Sequence, residues 1–248
     1  MAAPVAASAR SGDPKELEIA FPRMRRVTDR LWLGRLSQHV WVHTTTHDLG
    51  HGDDYPANGA IVVNGSTATL VDTGWSDADA DAIVDAWTAL RMPPIAKALA
   101  THFHTDRVGG IDALAKRGIP TFGNPLTIGL ALDNGHPAPR PLHDVEKHPQ
   151  TVGGIEVFYP GAGHTIDNVV AWIPSDAVLF GGCLVKATTA PDLGNLGDAV
   201  IGAYPQTVRN VMRRYAAARR VIPGHGTIAG DALGHTLAMA HAALPAHA

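Results

Sequence analysis

The sequence predicts an α/β protein in which two β-sheets pack face to face and helices cover their outer sides. Three observations point there. Strand-like runs and helical patterns are ordered so that each half of the chain begins with strands and ends with helices. Each helical pattern carries one apolar face, and two facing sheets with helices outside would bury all of these faces. Groups of His, Asp or Cys directly follow predicted strands, so strand ends carry the candidate chemistry.

Residues 1–25 are expected to hold little fixed structure. Residues 1–10, rich in Ala without a long apolar core, do not read as an intact signal peptide and suggest the ragged start of a mature chain behind an added Met. Residues 30–33 and 38–42 read as strands joined by a turn at Gly34. The polar stretch 44–58, with Gly50, Gly52 and Pro56, reads as a long hairpin loop of the kind that often carries function. Within and just before it, His43, His47 and His51 recur every fourth residue, the spacing of a helical metal face, but the glycines and the Thr run argue against a helix.

Residues 59–63 and 68–72 form a hairpin around Asn64-Gly65. Asp72-Thr73-Gly74 ends a strand and leads into a helix capped by Ser76, with Ile83, Val84, Trp87 and Leu90 on its buried face. Pro93-Pro94 stops that helix and opens a short apolar strand. Past the pair Gly109-Gly110, expected to let the chain turn sharply, residues 111–116 form a helix ended by Gly118. A strand at 119–122 and a helix at 125–132 follow.

The irregular, Pro-rich stretch 133–152 divides one domain (26–248) into halves of about 26–147 and 148–248. Strands are expected at 155–159, 169–173, 177–181 and 220–223. Val208, Val211, Met212 and Tyr215 mark one amphipathic helix; Leu233, Leu237, Ala240 and Leu244 mark the last.

Composition excludes several classes. The 248 residues carry a net charge of −3, which gives no reason to expect nucleic acid, and arginine clusters such as Arg23-Met24-Arg25-Arg26 read as solvated faces. No stretch approaches the roughly 20 apolar residues of a membrane span. The single cysteine, Cys183, excludes an internal disulfide and is either a small buried apolar residue or a ligating or reactive thiolate.

The central motif is His102-Phe103-His104-Thr105-Asp106 at the end of the strand opened by Pro94. Extended backbone sends residues i and i+2 to the same side, so His102 and His104 emerge together and Asp106 lies just beyond: half of a metal site. His164, Cys183 and His225 each follow a predicted strand and each is flanked by Gly, which lets backbone approach a crowded site.

With these residues in place the chain resembles the metallo-β-lactamase superfamily, and within it the di-zinc β-lactamases of subclass B1, over about residues 28–243. The resemblance implies a four-layer αβ/βα sandwich holding two zinc ions: His102, His104 and His164 on the first, Asp106, Cys183 and His225 on the second. It further implies that Asp106 orients a metal-bound hydroxide, that Lys186 pairs with a substrate carboxylate, and that Asn195 sits near the developing oxyanion. Asp72 would orient the metal site from behind, Arg107 would steady the Cys183 thiolate, residues 44–58 would form a flap over the substrate, and Trp75 would pack at the cleft floor. The implied activity is β-lactam hydrolysis of penicillins, cephalosporins and carbapenems, giving antibiotic resistance, by a periplasmic or secreted enzyme. The nearly charge-neutral, Ala-rich composition offers no evident oligomer interface, so a monomer is expected, with no membrane or nucleic-acid partner. Thioesterase, lactonase and nuclease members usually carry a further His after the Asp and a bridging Asp later; Arg107 and Cys183 stand there instead. The alternatives are another zinc hydrolase of the same fold, acting on thioesters or lactones, and a zinc-binding protein with little turnover.

Overall fold

Continuously apolar runs build two sheets, each with both faces covered, successive residues facing opposite sides. The computed structural model describes residues 20–50 and 54–245. The first sheet takes its strands in chain order: β1 (Arg25–Thr28), β2 (Leu31–Arg35), β3 (Val40–Asp48), β4 (Asp54–Asn64), β5 (Thr67–Val71), β6 (Ile95–Leu99), β7 (Thr121–Gly123) and β8 (Arg140–Pro141). The second contains β9 (Gln150–Val152), β10 (Ile155–Phe158), β11 (Val170–Ile173), β12 (Val178–Gly182) and β13 (Arg220–Pro223). Between β5 and β8 lie α1 (Asp77–Ala89), α2 (Thr105–Val108), α3 (Ile111–Lys116) and α4 (Pro125–Asp133); α5 (Tyr204–Arg214) and α6 (Ala232–Ala242) flank β13.

The layers follow from which side each residue faces. Ala60 and Val62 of β4 pack against Ala171, Val178 and Phe180 of the second sheet, forming the core between the sheets. Their neighbour Ile61 points outward to Ile83 and Trp87 of α1 and Leu114 of α3. Leu179 of β12 likewise points outward to Val208 and Val211 of α5 and Leu233 of α6. The result is helix, sheet, sheet, helix, as expected from the ordering of the elements.

Four local expectations are corrected. The fixed structure begins before residue 26: Ala20 is buried in the inter-sheet core and its carbonyl accepts from the Ile228 N–H at 2.7 Å, while residues 1–19 lie outside the described residues. Gly34 is no turn; it pairs with Val42 inside β2, where a Cβ would stand 2.8 Å from Met24 Cγ. Leu90, placed on the buried face of α1, is the exposed C-cap of that helix. Most of the supposed 44–58 loop is strand, because β3 and β4 stay paired out to Asp48 and Asp54, His47 lying opposite Tyr55. The Thr44–Thr46 run is β-branched and so suits a strand; Thr44 Oγ1 donates to Asn58 Oδ1 at 2.7 Å, while the Thr45 and Thr46 hydroxyls are buried without a partner among the described residues. Pro56 is tolerated because β5 begins pairing with β4 only at Ala60, which leaves residues 54–58 as an edge. His51 lies outside the described residues.

The two sheets are clasped at the end of β12 remote from Cys183. Asp176, just before β12, accepts from the Ser37 hydroxyl, from the His39 backbone N–H at 2.9 Å and from His39 Nδ1 at 2.7 Å, all on the β2–β3 turn. Burial raises the pKa of this carboxyl, but the bonds from Ser37 and His39 outweigh it and hold the group well below the usual carboxylate range. A depressed folded pKa contributes stability that is present above the unfolded value of about 3.9 and is lost as pH falls toward the folded one. Asp176→Ala is therefore expected to cost about 2–3 kcal/mol at pH 7, with the gap to the parent narrowing below about pH 4. Urea unfolding at pH 7 and at pH 3 checks this; an equal gap at both would remove the clasp.

Candidate metal centre

β6 lies between β5 and β7 in the parallel part of the first sheet, so its C-terminal end opens at one edge of the sandwich. β6 ends at Leu99 and the chain bends through residues 101–104, with His104 itself extended (φ −64°, ψ 153°) before α2 begins at Thr105. The Gly109-Gly110 pair is the expected turn between α2 and α3, but neither residue has positive φ, so the turn alone does not require glycine. Both are glycine for space, since a Cβ on Gly109 would strike the Trp75 carbonyl and one on Gly110 the Ala80 methyl.

His102 Nε2 lies 3.1 Å from His104 Nδ1, and His164 Nε2 lies 3.2 Å from the same atom. A tetrahedral zinc with Zn–N bonds of about 2.0–2.1 Å holds its nitrogens about 3.3 Å apart, so this spacing fits the ion. Partners on the outer nitrogens set the tautomers. His104 Nε2 donates to Asp198 Oδ2 at 3.0 Å. The Thr101 hydroxyl donates to Asp72 Oδ2 at 3.0 Å, which leaves its oxygen to accept from His102 Nδ1 at 3.3 Å. His102 Nε2 and His104 Nδ1 thus meet lone pair to lone pair, a repulsive contact unless a cation lies between them. Burial first, then the neighbouring imidazoles, hold His102 well below the usual histidine pKa; burial first, then Lys186, does the same for His164. Both are neutral and able to ligate.

The second group meets beside it. Cys183 follows β12 directly, and its Sγ lies 3.1 Å from His225 Nε2 and 3.8 Å from Asp106 Oδ2; His225 Nε2 lies 3.4 Å from the same carboxylate. Gly224 makes this meeting possible: a Cβ there would stand 2.8 Å from the sulfur. His225 Nδ1 donates to the Pro56 carbonyl at 2.7 Å, leaving Nε2 free to ligate. His102, Asp106 and Cys183 also lie within one ion's reach of each other, so the two groups are contiguous.

Arg107 sits beneath, fully buried. Its Nη2 donates to Asp106 Oδ2 at 2.6 Å and Cys183 Sγ at 2.9 Å, and its Nη1 to Asp72 Oδ2 at 3.0 Å. Asp72, at φ 61°, holds the left-handed conformation that ends β5 and accepts from the Thr101 N–H at 2.8 Å. Burial pushes the Asp72 carboxyl up to about 6, with Arg107 opposing. For Asp106 burial acts upward too, but Arg107 and His225 outweigh it and keep the group below its usual value. Burial pushes the Cys183 thiol up to about 12 despite Arg107; a bound cation would reverse this.

These residues floor a cleft of about 320 Å³. Lys186 and Asn195 line it as expected, as does Trp75. Lys186 is almost wholly buried, and among the described residues its Nζ has no ion pair. Asn195 Oδ1 accepts from the Gly197 N–H at 2.9 Å, which leaves its amide NH₂ free to donate. The sequence reading missed three groups that bear on the site: Asp198, Thr101 and the Tyr55-Pro56 pair. Only Asp198 carried a signal, its place three residues beyond Asn195; the others depend on strand register. His43, by contrast, is buried away from the ligands, with Nε2 toward the carbonyls of Val71 and Asp72 at 3.3 and 3.2 Å.

A family model described as the Metallo-beta-lactamase superfamily matches residues 52–225. The chain is 36% identical over 221 residues to the metallo-beta-lactamase type 2 of Bacillus cereus, a match covering 86% of this chain and 84% of that protein. It is 32% identical over 211 residues to the enzyme of the same description from Bacteroides fragilis, covering 84% of each. The solved structure of the metallo-beta-lactamase FIM-1 from Pseudomonas aeruginosa, in a mono-zinc form, superposes with a TM-score of 0.83 at 34% identity, covering 87% of this chain and 97% of that one.

Removing the Arg107 cation leaves buried anionic groups without a partner. Arg107→Met is expected to destabilise the metal-free protein by about 3–5 kcal/mol, and Arg107→Lys to recover only part, since an ammonium cannot reproduce the fork. Guanidinium unfolding of the three proteins measures this; a loss below about 1 kcal/mol would mean that the guanidinium does not hold the site together.

Proposed function

The chain belongs to the metallo-β-lactamase superfamily, and from that membership we propose that it hydrolyses penicillins, cephalosporins and carbapenems with two zinc ions, one on His102, His104 and His164 and one on Asp106, Cys183 and His225. The observation that carries the reading is the convergence of six donors on one cleft floor, with the outer nitrogens of His102, His104 and His225 tied so that their inner nitrogens can bind metal. Zinc supplies an acidified water, with a pKa of about 7, and an electrophile for the lactam carbonyl.

The chain's own residues do the rest. Asp106, kept ionised by Arg107, accepts a hydrogen bond from the attacking water and orients it. Lys186 offers to the carboxylate that β-lactams carry a buried ammonium that has no ion pair among the described residues. The free NH₂ of Asn195 donates to the oxygen that gains charge as the ring opens. No protein nucleophile is required. The low-lying pKa values of the buried imidazoles keep them available as ligands through the neutral range. The same membership supports action in the periplasm or outside the cell, conferring antibiotic resistance, and the nearly charge-neutral, Ala-rich composition supports a monomer; among the described residues no helix is long and apolar enough to cross a membrane.

Purified protein is expected to hydrolyse a chromogenic cephalosporin, to lose that activity in EDTA and to regain it with zinc. Inactivity at a full complement of two zincs would send the reading to thioesters and lactones. Cys183→Ser should drop the zinc content from two to one per chain. Lys186→Ala should raise KM for a carboxylate-bearing β-lactam about 10- to 100-fold while leaving kcat nearly unchanged, the loss of one charge-assisted bond shared by ground and transition states. A fall in kcat without change in KM would exclude carboxylate binding as its task.

A further inference from the structure

The His-rich strand β3 supplies none of the six donors, yet it stands behind one of them. His225 is held on two sides by β4: Nδ1 donates to the Pro56 carbonyl at 2.7 Å, and the ring lies 4.9 Å from that of Tyr55. Both residues belong to the edge of β4 that β5 does not reach, and β3 pairs with them through Thr46 opposite Pro56 and His47 opposite Tyr55. β3 is itself overhanging here, since its pairing with β2 stops at Thr45.

Two groups close on the overhang. From one side comes Arg30, whose Nε donates to the Thr46 carbonyl at 2.8 Å, whose Nη2 lies 3.0 Å from His47 Nδ1 and whose carbonyl accepts from the Thr46 N–H at 3.0 Å. From the other comes Trp75, stacked on the His47 ring at 5.4 Å and 19° and edge-on to Tyr55 at 6.2 Å. The indole N–H of Trp75 points to the Thr45 carbonyl at 3.4 Å. The indole thus packs on both cross-strand partners, and its ring centre lies 6.5 Å from that of His225.

We propose that His47, clamped between Arg30 and Trp75, is a positioning residue: it fixes the overhanging β3–β4 hairpin and so sets His225, making the affinity of the Asp106–Cys183–His225 group for its ion depend on a residue outside the ligand set. The inference rests on the assignment of His225 as a ligand. Groups that orient a ligand from behind commonly change metal affinity about 10- to 100-fold when removed. A stack of this kind acts on that ligand alone, because His102, His104 and His164 hang from β6 and from the loop after β10.

The test uses the full chain loaded with zinc, titrated with a chromophoric chelator that resolves two affinities, and the cobalt-substituted protein, whose thiolate-to-metal absorption reports occupancy beside Cys183. His47→Ala is expected to weaken the second affinity about tenfold or more and to reduce the thiolate band, with the first affinity unchanged within about twofold. His47→Phe keeps the stack and should recover most of the loss; His47→Gln keeps a partner for Arg30 without the ring and carries the alanine expectation should that variant not fold. Both affinities unchanged, both weakened equally, or phenylalanine as damaging as alanine would overturn the inference. Cys183→Ser separates the two levels: if it leaves the second affinity intact, the ligand assignment itself fails, whereas its loss of that affinity beside a neutral His47→Ala defeats only the clamp.

Discussion

The buried guanidinium of Arg107 is the contact on which the arrangement of the site depends. It touches groups from every part of the chain that meets there: Asp72 at the end of β5, Asp106 beside it on α2, Cys183 after β12, and the carbonyls of Asn58 and Gly224 at 2.6 and 3.0 Å. A cation without water must be surrounded by acceptors, and a planar fork fixes the direction of each. One side chain thereby registers the first sheet against the second at the edge where the ligands converge. The Asp72 backbone, in a left-handed conformation that an L-residue adopts at a cost, is held there by what its carboxylate receives from Arg107 and Thr101.

Around that cation the histidines are arranged by their outer nitrogens. Asp198, Thr101 and the Pro56 carbonyl each take one proton, and the inner nitrogens are left as lone pairs in a space where they repel one another. The protein therefore spends folding energy holding donors in mutual repulsion, which makes the site selective for an ion that can satisfy all of them at once. Burial acts in the same direction by keeping the imidazoles neutral. For the Cys183 thiol burial acts the other way, and the ion must supply what Arg107 alone does not.

The hairpin of β3 and β4 illustrates how a polar stretch can be structural. Three consecutive threonines read as loop, yet the strands continue because these residues are β-branched and the backbones of β3 and β4 stay paired, while the Thr44 hydroxyl and the Asn58 amide find partners within the sheet and after β13: Asn58 Nδ2 donates to the Gly226 carbonyl at 2.8 Å. The same edge that tolerates Pro56 offers its carbonyl to His225. What looked like a flap is in large part a wall.

Much of this was legible in the residues. The continuous apolar runs of β4 and β12, the one-sided faces of α1 and α5, and the Ser76 cap pointed to the four layers, because burial of an apolar face is a local demand. That His102 and His104 meet was legible from their spacing, although the backbone between them bends rather than running on as a strand. Tertiary structure alone decided what depends on register between distant strands: that Arg107 reaches Cys183 from 76 positions away, that Asp198 sets the tautomer of His104 across 94, and that His47 lies opposite Tyr55 and against Trp75. It also decided why Gly109 and Gly110 are glycine, which is the closeness of Trp75 and Ala80 rather than a need for positive φ in their turn. A sequence states which groups a chain carries and their local period; only the folded backbone states the distances between groups that no period relates.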